Sequence, residues 1–386
     1  MSNYFIRYCT LISSTEQLEY CQQAQSLGEL LARIKKLWDC NQFDDNELLS
    51  EINRCNQIPI GGNAILAGNW LPYRYQPKRR VVNWLIPVGH ATEPFQDEYI
   101  SRCCQQLFNQ IFQPRSSLEI AIQQGAASVE VQPAGFIFHL SRCGSTLISG
   151  CLSELETTCV FSESPLLTEL LLDNKLSAHE HQTCLRAFIN LQAAAFAARP
   201  QMIIKWNAWD IFRWELIREL YPQVPAIFLV RNPLEILASH QRSVGRHMSG
   251  DPTLAGFNPV FTAQSIDQSI LDKRVQILRC LLQAMGEKLL DQNIRLVDYQ
   301  RLRAQEVVAV FAWFGCVVAE QGFLKIQKRM QFHSKTPGQV FIADSVNKQQ
   351  CFTAEERQQI ETQLMPAYNQ VIHLALKPCE VIIDVQ

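Results

Sequence analysis

The sequence predicts an α/β fold, a parallel sheet flanked by helices over residues 131–386, behind a mostly helical N-terminal extension over residues 1–130. Three observations predict it. Short apolar runs at residues 136–140, 159–161, 202–206, 226–230 and 294–297 are each followed by a longer amphipathic stretch. Continuous apolar strands alternating with helices indicate a parallel sheet covered on both faces. The region before them instead repeats apolar side chains at helical spacing. The composition, 47% hydrophobic and 19% charged over 386 residues, supplies a full core and fits about two to three domains.

Taken in order, Ser14-Thr15-Glu16-Gln17 opens a helix running to about Trp38, with Leu18, Cys21, Leu27, Leu30, Leu31, Ile34 and Leu37 on its apolar side. A shorter helix is predicted over 46–55, and Pro59, Gly61 and Gly62 then break the pattern. Residues 81–88 read as a strand and 97–112 as another helix. No motif in this region attaches to a chemistry. Two roles are open for it, shaping an acceptor pocket or making a dimer contact.

Ligands of parallel sheets bind at the carboxyl ends of the strands. The first such end reads Ser141-Arg142-Cys143-Gly144-Ser145-Thr146, followed by the helix face Leu147, Ile148, Cys151, Leu152 and Leu155. Strand, small-residue turn and helix start make an anion cradle, because free N–H groups and the helix dipole converge there. Gly144 permits close backbone approach, Ser145 and Thr146 add hydroxyls, and Arg142 adds a forked, charged donor. A nucleotide triphosphatase would need GxxxxGK[ST]; here no Lys follows Gly144, and His139 stands where the first Gly would. The same residues also suit a plain helix start with a surface Arg.

The run 226–230 ends in Arg231-Asn232-Pro233. Asn232 suits an N-cap and Pro233 the first helical position, which puts Ser239 about two turns into the following helix. Arg231 and Ser239 can then reach one anion. Alternatively Arg231 pairs with a carboxylate and Ser239 bonds its own backbone.

As an ordered pair these segments resemble the sulfotransferases that use 3′-phosphoadenosine 5′-phosphosulfate. SRCGST resembles the family's 5′-phosphosulfate loop, and RNPLEILAS its 3′-phosphate motif. Ile203-Ile204-Lys205-Trp206-Asn207 sits where the family has its central strand. Leu296-Val297-Asp298-Tyr299-Gln300-Arg301-Leu302 resembles the strand-ending Tyr-Glu-Asp-Leu, and Phe352-Thr353-Ala354-Glu355-Glu356 a helix start near the family's C-terminus. The likeness spans about residues 133–365. Residues 331–348 are similar to the loop that closes over the cofactor, without the RKG signature.

The resemblance implies a P-loop-like sulfotransferase fold and in-line passage of a sulfuryl group to a hydroxyl or amine of a small-molecule or peptide acceptor. Adenosine 3′,5′-bisphosphate would be the product, and no metal is required. It implies Arg142 as the cation on the leaving phosphate, with Cys143, Gly144, Ser145 and Thr146 holding the 5′-phosphate. Arg231 and Ser239 would hold the 3′-phosphate, and Lys205 and Lys335 would also contact the cofactor or the moving group. One departure matters: Asn207 stands where the cytosolic enzymes have a His base, and Asn takes no proton. Glu163, at the end of the second strand, is the expected base, with His240 and His139 behind it. Acceptor contacts are expected from 166–199 and 241–270. A small-molecule kinase and a non-catalytic scaffold of the same fold are the alternatives.

Other classes are set aside by composition. With 35 Lys and Arg against 37 Asp and Glu, no basic surface for nucleic acid is expected. The 14 cysteines form no CxxC pair, so zinc-ribbon and thioredoxin spacings are absent. The longest apolar run, 307–319, falls short of the ~20 residues of a membrane span and reads as buried core. A reduced, cytoplasmic protein without an anchor is expected, a homodimer being open.

Overall fold

The computed structural model describes residues 3–61, 66, 70–262, 268–332 and 351–375. The chain divides into two compact units, Met1–Gln132 with Ser164–Pro200, and Pro133–Glu163 with Gln201–Gln386. Residues 164–200, which the sequence reading assigned to the α/β domain, group with the first unit.

In the first unit, helices α1 (Asn3–Ile12), α2 (Thr15–Gln22), α3 (Leu27–Trp38) and α4 (Asp45–Asn56) come first. The expected single helix from Ser14 to Trp38 is broken at residues 23–26, where Ser26 caps α3 by accepting from Glu29 N at 3.2 Å. Strands β1 (Leu71–Gln76) and β2 (Val81–Leu85) follow, then α5 (Gln96–Cys104), α6 (Leu107–Ile111), β3 (Arg115–Ser117) and α7 (Leu118–Ala127). The strands form an antiparallel sheet in the order β1-β2-β3. The unit is therefore helical around a small sheet, of which only β2 is readable from sequence.

The second unit begins with β4 (Gly135–His139), α8 (Ser145–Ser153) and β5 (Thr158–Ser162). The chain then contributes α9 (Pro165–Leu171) and α10 (Ala178–Ala194) to the first unit. It returns as β6 (Gln201–Lys205), a 3-10 turn over Ala208–Arg213, α11 (Trp214–Leu220), β7 (Ala226–Val230) and α12 (Pro233–Arg242). After 3-10 turns at Arg246–Met248, Pro252–Gly256 and Pro259–Phe261 come α13 (Ile270–Lys288), β8 (Ile294–Asp298), α14 (Ala304–Trp313), α15 (Glu320–Met330) and α16 (Ala354–Ala375).

All five predicted apolar runs are strands, and the sheet is parallel in the order β5-β6-β4-β7-β8. Side chains alternate between its faces. Phe136, Phe138, Trp206, Trp214 and Phe228 pack as an aromatic layer on one side. Ile137, Ile203, Ile227 and Leu229 meet Ile148, Leu152, Val307, Phe311 and Ile326 of α8, α14 and α15 on the other. The connection from β4 leaves toward β5 and that from its neighbour β7 toward β8, so a crevice opens between them at their carboxyl ends.

Candidate functional site

The loop between β4 and α8 has an unusual backbone. Ser141 (φ 66°), Arg142 (φ 54°) and Gly144 (φ 90°) all lie in the left-handed region. Non-glycine residues there are strained unless their surroundings hold them. Two groups do so. Ser141 N–H donates to His139 Nδ1 at 2.9 Å, and Arg231 Nη1 donates to the Arg142 carbonyl at 3.3 Å. Gly144 is the N-cap of α8, and no side chain caps the helix, so its first N–H groups remain available to an anion. A Cβ on Gly144 would lie 2.8 Å from the Tyr299 ring, so glycine is demanded both by φ and by contact.

Lys205 ends β6 fully buried. Its Nζ donates to Thr146 Oγ1 at 3.3 Å and lies 2.8 Å from Glu163 Oε1. The lysine absent after Gly144 is thus matched by one from a neighbouring strand. Glu163 also has a left-handed backbone (φ 55°), anchored by its N–H donating to the Lys205 carbonyl at 2.7 Å. His139 Nδ1 accepts from Ser141, which leaves the ring proton on Nε2, 3.4 Å from Glu163 Oε1. Burial works to raise the Glu163 pKa, but the Lys205 charge and His139 outweigh it and hold the carboxyl well below the ordinary range.

Arg231 is buried and gives Nε to Glu235 at 2.7 Å, with Nη2 on the same carboxylate. Its guanidinium carbon stacks 4.0 Å from the Tyr299 ring centroid. Of five guanidinium N–H groups, three are engaged within the described residues and two remain. Ser239 Oγ donates to the Glu235 carbonyl at 2.8 Å, the ordinary back-bond of a helical Ser. The carboxylate-paired Arg and back-bonded Ser are therefore the arrangement seen. Asn232 does cap α12, accepting from Leu234 N at 2.9 Å, with Pro233 at its first position.

The remaining expected residues distribute as follows. Arg142 is half-buried and donates to the Ser243 carbonyl at 2.5 Å. The Cys143 thiol is sealed in the core, where burial pushes it up to about 11, so only its backbone can face a ligand. Ser145 and Thr146 occupy the first turn of α8 and are buried. Lys335 and residues 333–348 of the expected closing loop lie outside the described residues.

Two residues that sequence reasoning did not single out join this site. Asp210 is 1% exposed, and its Oδ2 accepts from the Asn207 N–H at 2.8 Å and from Asn207 Nδ2 at 2.9 Å. Burial raises its pKa to about 7 against the Asn207 hydrogen bonds, and the Glu163 charge adds to the rise. The buried His247 is held neutral, its pKa lowered to about 3 by burial and by the neighbouring His139 and Arg142, against the Glu163 charge. The only sequence signal for Asp210 was a carboxylate three residues after Asn207, the spacing of a capping box.

No family model matches the sequence, and no curated protein matches it. Among solved structures, the chain is similar to the mouse sulfotransferase SULT7A1 complexed with PAP, at 10% identity and a TM-score of 0.36, over 66% of this chain and 92% of that one. It is also similar to the sulfotransferase STF9 from Mycobacterium avium, at 10% identity and a TM-score of 0.37, over 63% of this chain and 78% of that one.

Proposed function

We propose that the chain is a sulfotransferase taking a sulfuryl group from 3′-phosphoadenosine 5′-phosphosulfate. The observation that carries the reading is the 141–146 loop: an uncapped helix start, left-handed backbone at three positions, and Lys205 beneath Thr146. Such a cradle stabilises negative charge without reorganising, which is what a leaving phosphate requires. Arg142 and the first N–H groups of α8 would hold the 5′-phosphate, and Lys205 would add the charge that a triphosphatase takes from its loop lysine. The two remaining N–H groups of Arg231 would meet the 3′-phosphate. When bound, the donor would supply a sulfuryl group to an acceptor hydroxyl or amine, the bridging oxygen staying on the leaving phosphate.

Lys205 also weighs against a kinase. A P-loop kinase would offer its loop Thr or Ser hydroxyl to Mg²⁺. Here an ammonium sits on Thr146 Oγ1 and would repel a divalent cation. In this reading Glu163 acts as the counter-ion of Lys205. A carboxyl held so far below its ordinary range is a weak proton acceptor.

Calorimetric titration with adenosine 3′,5′-bisphosphate, with ADP and ATP–Mg²⁺ in parallel, tests the reading. Micromolar or tighter binding of the bisphosphate alone is expected. A preference for ATP–Mg²⁺ would sink the reading, and bisphosphate binding without any turnover would favour a non-catalytic scaffold.

A further inference from the structure

Three buried polar atoms beside the loop have no hydrogen-bond partner among the described residues: Asp210 Oδ1, Trp209 Nε1 and His247 Nε2. Buried polar atoms are nearly always satisfied, so three together point to a ligand. Their residues are neighbours, Asp210 following Trp209 in the chain and the rings of Trp209 and His247 lying 5.8 Å apart. The segment bearing His247 is tied to the anion cradle, since Arg142 donates to the Ser243 carbonyl at 2.5 Å. It is also compact, because Gly245 N–H donates to His240 Nδ1 at 3.1 Å and the His240 and His247 rings stand 5.4 Å apart. A hydroxyl, as both donor and acceptor, can satisfy such a set where an apolar group cannot.

We infer that these atoms form the acceptor subsite, that the acceptor reacts through a hydroxyl, and that Asp210 takes its proton. This inference rests on the sulfotransferase reading. As the acceptor oxygen bonds to sulfur, the bond from sulfur to the bridging phosphate oxygen breaks, and the hydroxyl proton moves to Asp210 Oδ1. The products are a sulfate ester, the bisphosphate and a neutral Asp210, which then returns its proton to water. Asn207 fixes the other carboxylate oxygen, so in this chain the residue at the usual base position orients a base one turn further on. The two carboxylates are driven apart in acidity, Glu163 staying ionised while Asp210 titrates near neutrality.

The charged groups bearing on Asp210 are known. Glu163 at the end of β5 disfavours its ionisation, and Arg246 favours it. Arg213 ends the same turn and feels the Asp210 charge. β4 brings His139, and α13 brings buried Lys273 and Arg274, the latter donating to the Met248 carbonyl at 3.3 Å. In α11, Glu215 and Arg218 are paired with Lys288 and Asp291 instead.

The test uses water as acceptor, because it is always present. Radiolabelled sulfate release from the donor is followed in the full chain, with bisphosphate calorimetry and carboxyl-resolved NMR alongside. Asp210→Asn is expected to keep bisphosphate affinity while releasing sulfate about 100-fold more slowly. Wild-type release should rise with pH through a midpoint near 7, and Asp210→Glu should retain that rise. Sulfate release by Asp210→Asn at the wild-type rate would overturn the inference. So would an Asp210 carboxyl titrating in the ordinary carboxylate range, a measurement on wild-type protein, assigned against Asp210→Glu if Asp210→Asn does not fold. Failure of wild-type protein to bind the bisphosphate overturns the function reading itself, and this inference with it.

Discussion

Lys205 and Glu163 meet at 2.8 Å across the carboxyl ends of adjacent strands, the Lys side chain fully buried and the Glu 23% exposed. The parallel register sets Ser162 beside Lys205, and the left-handed backbone at Glu163, the next residue, lets its carboxylate turn onto the ammonium. An ammonium in such a place is tolerable only beside a counter-ion.

Glu163→Gln should therefore destabilise the second unit by about 3–5 kcal/mol, because it removes the carboxylate from the buried Lys205 ammonium. Glu163→Gln combined with Lys205→Met should recover most of the loss in denaturant titration. A single variant as stable as wild type would show that the pair holds nothing together. The pH sign follows from the lowered Glu163 pKa. Its contribution is present above the unfolded value, about 4.3, and is lost as pH falls through the lower folded value.

Asp210 has the opposite sign. Its folded pKa of about 7 lies above the unfolded carboxylate value. The folded state therefore holds a proton that the unfolded chain has released, and stability falls as pH rises toward 7. Asp210→Asn should raise the Tm more at about pH 8 than at about pH 5, measured by calorimetric melting. An equal shift at both would show an ordinary carboxylate.

At position 144 the backbone is already left-handed and the Tyr299 ring fills the space of a side chain. Gly144→Ala should cost about 1–3 kcal/mol from backbone strain alone, with bisphosphate affinity falling in parallel. Tyr299→Ala in the same chain should relieve the contact but not the strain, a partial rescue visible in the melting curve.

Arg231→Ala should lower affinity for adenosine 3′,5′-bisphosphate by about 1.5–3 kcal/mol, and affinity for adenosine 5′-phosphate much less. Equal losses for the two nucleotides would remove Arg231 from the 3′-phosphate. Because the variant also removes the Arg231 charge from the buried Glu235 carboxylate, the comparison is best made with Glu235→Gln present in both chains.

The five parallel strands were readable because strands buried on both faces carry unbroken apolar runs. β1 begins Leu-Pro and carries Arg74, and β3 is Arg-Ser-Ser; both are strands only because β2 pairs with them, which no local pattern announces. The anion loop was readable from its small residues and its place after a strand. The partners of its charged side chains were not, since Glu235 and Glu163 declare themselves only once helix geometry and strand register are fixed. Asp210 was legible only as a capping-box carboxylate, for a related reason. Its chemistry comes from burial and from a neighbouring charge rather than from spacing.

The contact of Tyr299 with both Gly144 and Arg231 ties three positions far apart in the chain to one another. A single ring closes the floor of the loop and supplies the face on which the guanidinium lies. Substitutions at these positions cannot drift independently. A chain that replaces Gly144 must also shrink residue 299, and one that loses the aromatic ring must support Arg231 by other means. Among descendants of this sequence, positions 144, 231 and 299 should therefore covary as a set.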